Sequence, residues 1–490
     1  MRAPKGAPSR CLRPASPGGP WRQAFHLRLL PALRACVLTT ACRRAGSHSD
    51  VSKGGEANAS PVSNVDRALS IGRAESEQYV EDTSALFGAA RLPRGVLFGR
   101  EQRKAIGAVS ARLGTRTLLV TDPRQAAQPE FAAIQDDLAA CAVETQVFDG
   151  VVPDLPISAI EDCVELARVF QPEVLIAVGG GSSMDLAKVT AVLLAHGGHV
   201  SDYYGEFAVP GPVLPLIAVP TTAGTGSEVT PVAVVSDEAR GAKIGIASPY
   251  LIPQVAICDP ELTVSCPPEL TAVSGADALT HAIESFTVAK RHYDPLLTEE
   301  HVFVGKNVLS DHFARLAVVN LFRYLERAFK DGSDLEAREG VMLAALAAGC
   351  AFGTAGTAAA HALQYPLGNL THTAHGAGVA ALLPFVMQFN RPACEESFAE
   401  LADLIGLPGG STEERSQAFV EAVADLLAVI GIPRSLAELG LAEDEQEYVA
   451  AHSLDAARLI KNNPRPLDLA AMRAITQAAF SGDRQRLIKI

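Results

Sequence analysis

The chain has 490 residues, 48% of them apolar and 20% charged, and a formal net charge of −13. That length exceeds what one small core fills, so two domains are expected. The acidic balance without a Lys/Arg block excludes a nucleic-acid partner, and no uninterrupted apolar run approaches the ~18 residues of a membrane-spanning helix.

Residues 1–49 hold eight Arg, one Lys and no acid, and Asp50 is the first acidic residue. That composition fits an organellar transit peptide or a disordered extension from an upstream start codon; a secretory signal fits less well because Arg34 interrupts the apolar stretch Leu29 to Leu38. Residues 45–85 read as linker, so 1–85 is set apart as a disordered or targeting-type extension. The expected location is the cytoplasm, or the mitochondrial matrix if residues 1–45 are a genuine transit peptide. Nine cysteines lie scattered without a C-x-x-C pair, which points to reduced thiols.

From about Leu92 apolar runs alternate with helical spacing: GVLFG (95–99), REQRKAIGAVSARL, TLLVTD (117–122), PEFAAIQDDLAACAV, TQVFDG (145–150), ISAIEDCVELARVF and VLIAVGGGSSMD (174–185). LPLIAVP (214–220) and VAICDP (255–260) add buried strands, and PVAVVSD (231–237) with KIGIAS (243–248) reads as a hairpin. The alternation predicts an α/β domain over 86–266, a parallel sheet with helices on both faces. Beyond PPEL (267–270) the Ala-rich 3.6-residue periodicity predicts an all-α domain over 267–490.

Two loops follow strands in the first domain. VGGGSSMDLAK (178–188) opens a helix, and backbone N–H groups approached closely past glycine suit a pyrophosphate, although Met184 stands where G-x-G-x-x-G requires a third glycine. VPTTAGTGSEVT (219–230) offers hydroxyls and amides at a strand end, as a nucleotide needs; the competing reading is a turn capping its own backbone. Asp122 ends TLLVTD, either as an acceptor for an adenosine ribose, favouring NAD over NADP, or as a helix N-cap.

In GADALTHAIES (275–285), Asp277 and His281 are four residues apart and share a helix face. They form either a satisfied core Asp–His contact or half of a metal site. HALQYPLGNLTHTAHG (361–376) supplies His361, His372 and His375. One carboxylate with several imidazoles and no cysteine suits Fe²⁺, or alternatively Zn²⁺, with an open position that polarises an alcohol or carbonyl oxygen.

GGGSSMD, PTTAGTGSE, GADALTHAIE and HALQYPLG…HTAHG, in this order, resemble the iron-containing (group III) alcohol dehydrogenases from about residue 88 to about 480. The resemblance implies a nucleotide-binding α/β domain, a helical domain, and an active site in the cleft between them. It implies Asp277, His281, His361 and His375 as metal ligands, with His372 a non-ligand. It places NAD contacts at Asp122, Gly179, Gly180, Gly181, Ser182, Asp185, Thr221, Thr222, Thr225 and Lys243. Family members are often homo-oligomers, so a homo-oligomer is expected.

Two features depart from the lactaldehyde-reductase pattern: Tyr365 replaces a second histidine after the third ligand, and the link FTVAKRHYDPLLTEEHVFVGKNVLSD is longer. Both resemble the hydroxyacid–oxoacid transhydrogenase branch. The expected activity is NAD-dependent hydride transfer between a small alcohol and its aldehyde or ketone. The alternative is a retained cofactor shuttling hydride from a hydroxy acid such as 4-hydroxybutyrate to 2-oxoglutarate. A carboxylate substrate needs a cation, for which Lys290, Arg291 and Lys306 are candidates that also fit a solvated surface.

Overall fold

Six short segments, most of them rich in Val, Ile, Leu and Ala, become adjacent parallel strands because helices cover both faces of the sheet they form. The computed structural model of the chain describes residues 86–488 except Tyr293; the targeting-type and linker readings for 1–85 lie outside the described residues. The strands are β1 (Gly95–Phe98), β2 (Arg116–Val120), β3 (Glu144–Phe148), β4 (Val174–Gly179), β6 (Leu216–Pro220) and β9 (Val255–Cys258), ordered β1-β9-β6-β4-β2-β3 and all parallel. Period-2 alternation divides the core. Leu118, Val120, Leu175, Ala177, Leu216 and Ala218 pack on one face with α3 (Ile157–Phe170) and α4 (Gly181–His196). Leu119, Ile176, Val178, Ile217 and Val219 face α1 (Ile106–Leu113) and α2 (Pro129–Ala140).

The hairpin expected over 231–248 forms, as β7 (Val232–Asp237) antiparallel to β8 (Ala242–Ala247). Together with the two-residue β5 (Gly205–Glu206) it makes a separate three-stranded sheet.

Helices dominate after Pro267. They are α5 (Pro268–Thr287), α6 (Val308–Lys330), α7 (Leu335–Ala355), α8 (Ala359–Thr371), α9 (His375–Leu404), α10 (Thr412–Val429) and α11 (Leu469–Ser481), with short helices such as Ala457–Asn462 between them. Several starts are written in the sequence. Asn307 accepts from Leu309 N and Ser310 N, Asp334 from Ala337 N and Ser411 from Glu414 N. Helix α5 is buried nearly all round because α6, α7 and α9 all pack on it.

The sheet-bearing and helical parts share one core, in which Ala223, Val229, Ala256 and Cys258 pack with residues of α5, α6 and α7. Gly226 sits at φ 63° in the left-handed region, and a Cβ there would meet Gly349 Cα at 2.5 Å. Only glycine permits that backbone approach between the 219–230 loop and α7. The six cysteines among the described residues are free thiols, and no single described helix is long and apolar enough to cross a membrane.

Candidate metal centre and nucleotide cleft

The chain leaves β2 for β3 on one side, then returns to place β4 on the other. The carboxyl ends of β2 and β4 therefore mark a topological switch point, where open α/β sheets hold ligands. Asp122 follows β2, the glycines end β4 and open α4, and Thr221 to Thr225 follow β6. The three strand ends are joined: Thr121 Oγ1 donates to Val178 O at 2.7 Å and Thr221 N to Gly179 O at 2.9 Å. Helix α4 begins without a side-chain cap, so its first N–H groups are left for a ligand. A Cβ on Gly181 would meet Thr225 Cγ2 at 2.8 Å, so glycine there lets the two loops touch.

Of the expected nucleotide contacts, Gly181, Ser182, Asp185, Thr225 and Lys243 line a cavity of about 1010 Å³, whereas Asp122, Gly179, Gly180, Thr221 and Thr222 lie outside its lining. Asp122 is the N-cap of the turn Pro123–Ala126, accepting from Gln125 N at 2.9 Å. Its other oxygen lies 3.9 Å from where a Gly179 Cβ would be. Asp185 accepts from Ser227 Oγ (2.6 Å) and Val234 N (2.9 Å), which fixes α4 to the Thr-rich loop and β7. Lys243 pairs with Asp154 across the cavity edge.

Two further charged groups, one on α4 and one in the Thr-rich loop, are buried beside these contacts. Lys188 is buried and donates to Ser227 Oγ and Val232 O (2.8 Å each) and to Thr230 O (3.1 Å), while burial brings its pKa down to about 8. Glu228 is buried too, and burial lifts its carboxyl to about 7, against the weaker opposing effects of its own backbone N–H and of Lys188. A carboxyl raised in the folded chain stabilises the fold at low pH, and that stability is lost as pH rises through the folded value. Wild-type unfolding free energy should therefore fall by up to about 3 kcal/mol between pH 4.5 and 7.5 through this group, and Glu228→Gln should remove that slope. Urea unfolding across that range checks it; parallel curves would contradict it.

The same cavity is also lined by Asp277, His281, His361 and His375. Asp277 Oδ1 lies 3.7 Å from His281 Nε2, 4.0 Å from His361 Nε2 and 3.8 Å from His375 Nε2. None of these is a hydrogen bond, so the satisfied Asp–His contact is not what the fold builds. Asp277 Oδ1 and His361 Nε2 are buried without a partner. Asp277, His281 and His361 present ligand atoms within 4.8 Å of one another. A tetrahedral ion with bonds of about 2.1 Å holds its ligand atoms roughly 3.4 Å apart, so the Asp277-to-imidazole distances fit a divalent metal after a contraction of about half an ångström, while the widest pair in the cluster would close by up to about 1.4 Å.

Local sequence explains the convergence. The i, i+4 spacing places Asp277 and His281 on one face of α5, where Phe352 stacks on the His281 ring at 4.1 Å. His361 occupies the first turn of α8. His375 opens α9, and the next residue is Gly376. A Cβ on Gly376 would meet Val273 O at 2.3 Å and Asp277 Cβ at 3.1 Å, so glycine lets this turn press against α5. His375 remains 35% exposed and faces the cleft. His372 is exposed and left-handed (φ 52°) at the end of α8, away from the cluster. Burial drives the His281 and His375 imidazoles well below their ordinary pKa, with neighbouring His361 adding to it, so both are neutral and able to ligate. Burial, with the Glu284 carboxylate adding and His361 opposing, pushes Asp277 up to about 7 in the metal-free chain.

Glu284 escaped the sequence reading although it lies in GADALTHAIES, three residues beyond His281. Its carboxylate accepts from Ala358 N (2.9 Å), Ala360 N (2.7 Å) and His361 Nδ1 (2.6 Å). An acceptor on Nδ1 leaves the Nε2 lone pair aimed at the cluster. Tyr365 lines the cavity, and among the described residues no group hydrogen-bonds its hydroxyl. Burial raises its phenol above the usual range, so it stays neutral.

Comparison with known proteins agrees with this geometry. Residues 93–260 match the family described as "Iron-containing alcohol dehydrogenase", and residues 271–480 match "Fe-containing alcohol dehydrogenase family, C-terminal". The chain belongs to the iron-containing alcohol dehydrogenase family. It is 38% identical over 377 residues to long-chain-alcohol dehydrogenase 1 of Geobacillus thermodenitrificans, covering 76% of this chain and 91% of that one. The crystal structure of 1,3-propanediol oxidoreductase superposes with a TM-score of 0.75 at 33% identity, covering 80% of this chain and 100% of that one. Sulfoacetaldehyde reductase from Bifidobacterium kashiwanohense, solved in complex with NAD+, gives a TM-score of 0.69 at 29% identity, covering 81% of this chain and 100% of that one. As an iron-containing alcohol dehydrogenase the protein is an alcohol oxidoreductase acting on a small molecule. Its buried Asp/His cluster fits the metal that the family implies.

Proposed function

We propose that this chain is an NAD- and metal-dependent alcohol dehydrogenase that moves hydride reversibly between a small alcohol and its aldehyde or ketone. One observation carries the reading: the uncapped start of α4 and the Asp277 cluster line a single cavity large enough for a dinucleotide beside a small substrate.

Asp277, His281, His361 and His375 would hold the metal, Fe²⁺ on the family's description and Zn²⁺ as the alternative that the same oxygen and nitrogen donors accept. Bound there, it supplies Lewis-acid polarisation of an alcohol or carbonyl oxygen. NAD supplies the hydride acceptor. The remaining work belongs to the chain. Gly181 and Ser182 would present N–H groups to the pyrophosphate, with Thr225 and Lys243 lining the same cavity, and the carboxylate of Asp122, at the switch point but outside that lining, would disfavour a 2′-phosphate. Phe352 and Tyr365 wall the cavity beside the cluster.

Metal-stripped protein should show no NAD⁺ reduction with primary alcohols and regain it on adding Fe²⁺ or Zn²⁺, with NADP⁺ slower throughout. Turnover confined to a hydroxy acid plus an oxo acid, with no added NAD⁺, would replace this reading with a transhydrogenase.

A further inference from the structure

Ser227, Thr230 and Val232 line the cavity, and all three are held by one residue that does not. Lys188 lies on α4 with its side chain wholly buried. Its ammonium donates to Ser227 Oγ and Val232 O (2.8 Å each), to Thr230 O (3.1 Å) and to Thr230 Oγ1 (3.3 Å). A buried ammonium is costly unless its N–H groups are taken up, and every acceptor here belongs to the Thr-rich loop or to the strand it leads into. The charge is answered only at a distance. Asp185 Oδ1, on the same helix, stands 3.8 Å away, and Glu228 in the loop adds a second attraction.

The contact carries through to the nucleotide end. Ser227 Oγ donates to Asp185 Oδ1 (2.6 Å), so one hydroxyl joins both α4 residues to the loop. Ser227 N donates to Thr225 Oγ1 (3.3 Å), and a Cβ on Gly181 would meet that same oxygen at 3.2 Å. Among the described residues, Asp185 and Lys188 supply every side-chain hydrogen bond from α4 to the loop and β7. Asp185 lines the cavity, whereas Lys188 works from behind it. The far side of the loop packs on Ser274 of α5 through Gly224 and on Gly349 of α7 through Gly226, and Lys188 takes no part in either contact.

We propose that Lys188 is a positioning residue for the dinucleotide: it fixes the Thr-rich loop against α4, so that Thr225 and the N–H groups of Gly181 and Ser182 are set together to receive the pyrophosphate. This rests on the NAD reading above. Without the ammonium the loop relaxes away from α4 in the free protein, and part of the binding free energy of a dinucleotide then goes into drawing it back. The metal ligands stand on α5, α8 and α9, and none of them touches Lys188, so the metal end is unaffected.

The test is calorimetric titration of the metal-loaded protein with NADH and with ADP, which shares its pyrophosphate. Lys188→Met keeps the length and removes the charge; it should weaken both ligands by a similar factor of about 10 to 100, the value of a hydrogen bond to a charged group. The KM for NAD⁺ should rise with it while kcat at saturating NAD⁺ and the metal dissociation constant stay near wild type. Ser227→Ala cuts the same link from the loop side. It should also weaken NADH, and the double variant should lose less than the two single losses combined. If Lys188→Met does not fold, Ser227→Ala decides, and unchanged NADH and ADP affinity there rejects the proposal. Wild-type affinity in Lys188→Met, even with a lowered melting temperature, would reduce Lys188 to a packing residue and overturn it. So would a fall in kcat at unchanged KM. Wild type that binds NADPH and not NADH would sink the NAD reading alone, and the ADP arm would still decide Lys188. Wild type that binds neither dinucleotide nor ADP would overturn both.

Discussion

Asp277→Ala should abolish stoichiometric metal binding and lower kcat/KM for alcohol oxidation by on the order of 10³-fold or more, the several kcal/mol that Lewis-acid polarisation supplies. The reason lies in the position of one atom. Asp277 Oδ1 is the point from which the other three candidate ligands are each 3.7–4.0 Å away, and it is the cluster's only carboxylate. The same substitution should not harm the metal-free fold. Without an ion the carboxyl is buried and pushed up to about 7, so at neutral pH and above it costs stability rather than adding it. Metal-free Asp277→Asn, which keeps the shape, should therefore melt no lower than metal-free wild type while gaining nothing from added metal. Melting curves with and without Fe²⁺ or Zn²⁺ check both halves. A large loss of metal-free stability would mean that Asp277 is held for packing.

Glu284→Gln should weaken metal binding about 10- to 100-fold, although Glu284 does not itself face the cluster. A carboxylate accepts all three of its hydrogen bonds. An amide has one accepting oxygen: in the place of Oε2 it keeps His361 and Ala358 N but turns its NH₂ on Ala360 N, and in the other orientation its NH₂ confronts the Nδ1–H of His361 or forces the proton to Nε2, the atom that must ligate. Metal dissociation constants from chelator competition measure the effect. Because Ala358 N and Ala360 N also rely on this carboxylate, α8 should loosen at its start, so melting of the metal-free protein is measured alongside. Unchanged metal affinity with lowered stability would reduce Glu284 to a helix cap.

The alternation of strands and helices was legible because β4 and β6 are buried on both faces and so read as continuous apolar runs. Strand order was not, since periodicity carries no information about which strand lies beside which. Nor was β5, whose two residues pair with β8 only after tertiary packing. Within the site, the shared face of Asp277 and His281 could be read from spacing alone. Glu284 occupies the same string, but its partners lie 74–77 residues later, and nothing local distinguishes it from a solvated helix glutamate. His372 and His375 were equivalent by residue type, and it is the tight approach of Gly376 to α5 that brings one of them to Asp277.

The central claim is that four side chains from α5, α8 and α9 hold one divalent ion at the inner end of a nucleotide cleft. Anomalous diffraction from crystals of the metal-loaded protein, collected at the absorption edge of the added metal, tests it most directly. The expected result is a single peak per chain, about 2.0–2.2 Å from an Asp277 carboxylate oxygen and from Nε2 of His281, His361 and His375. A peak ligated by other residues, or no peak in protein that oxidises alcohols, would contradict it.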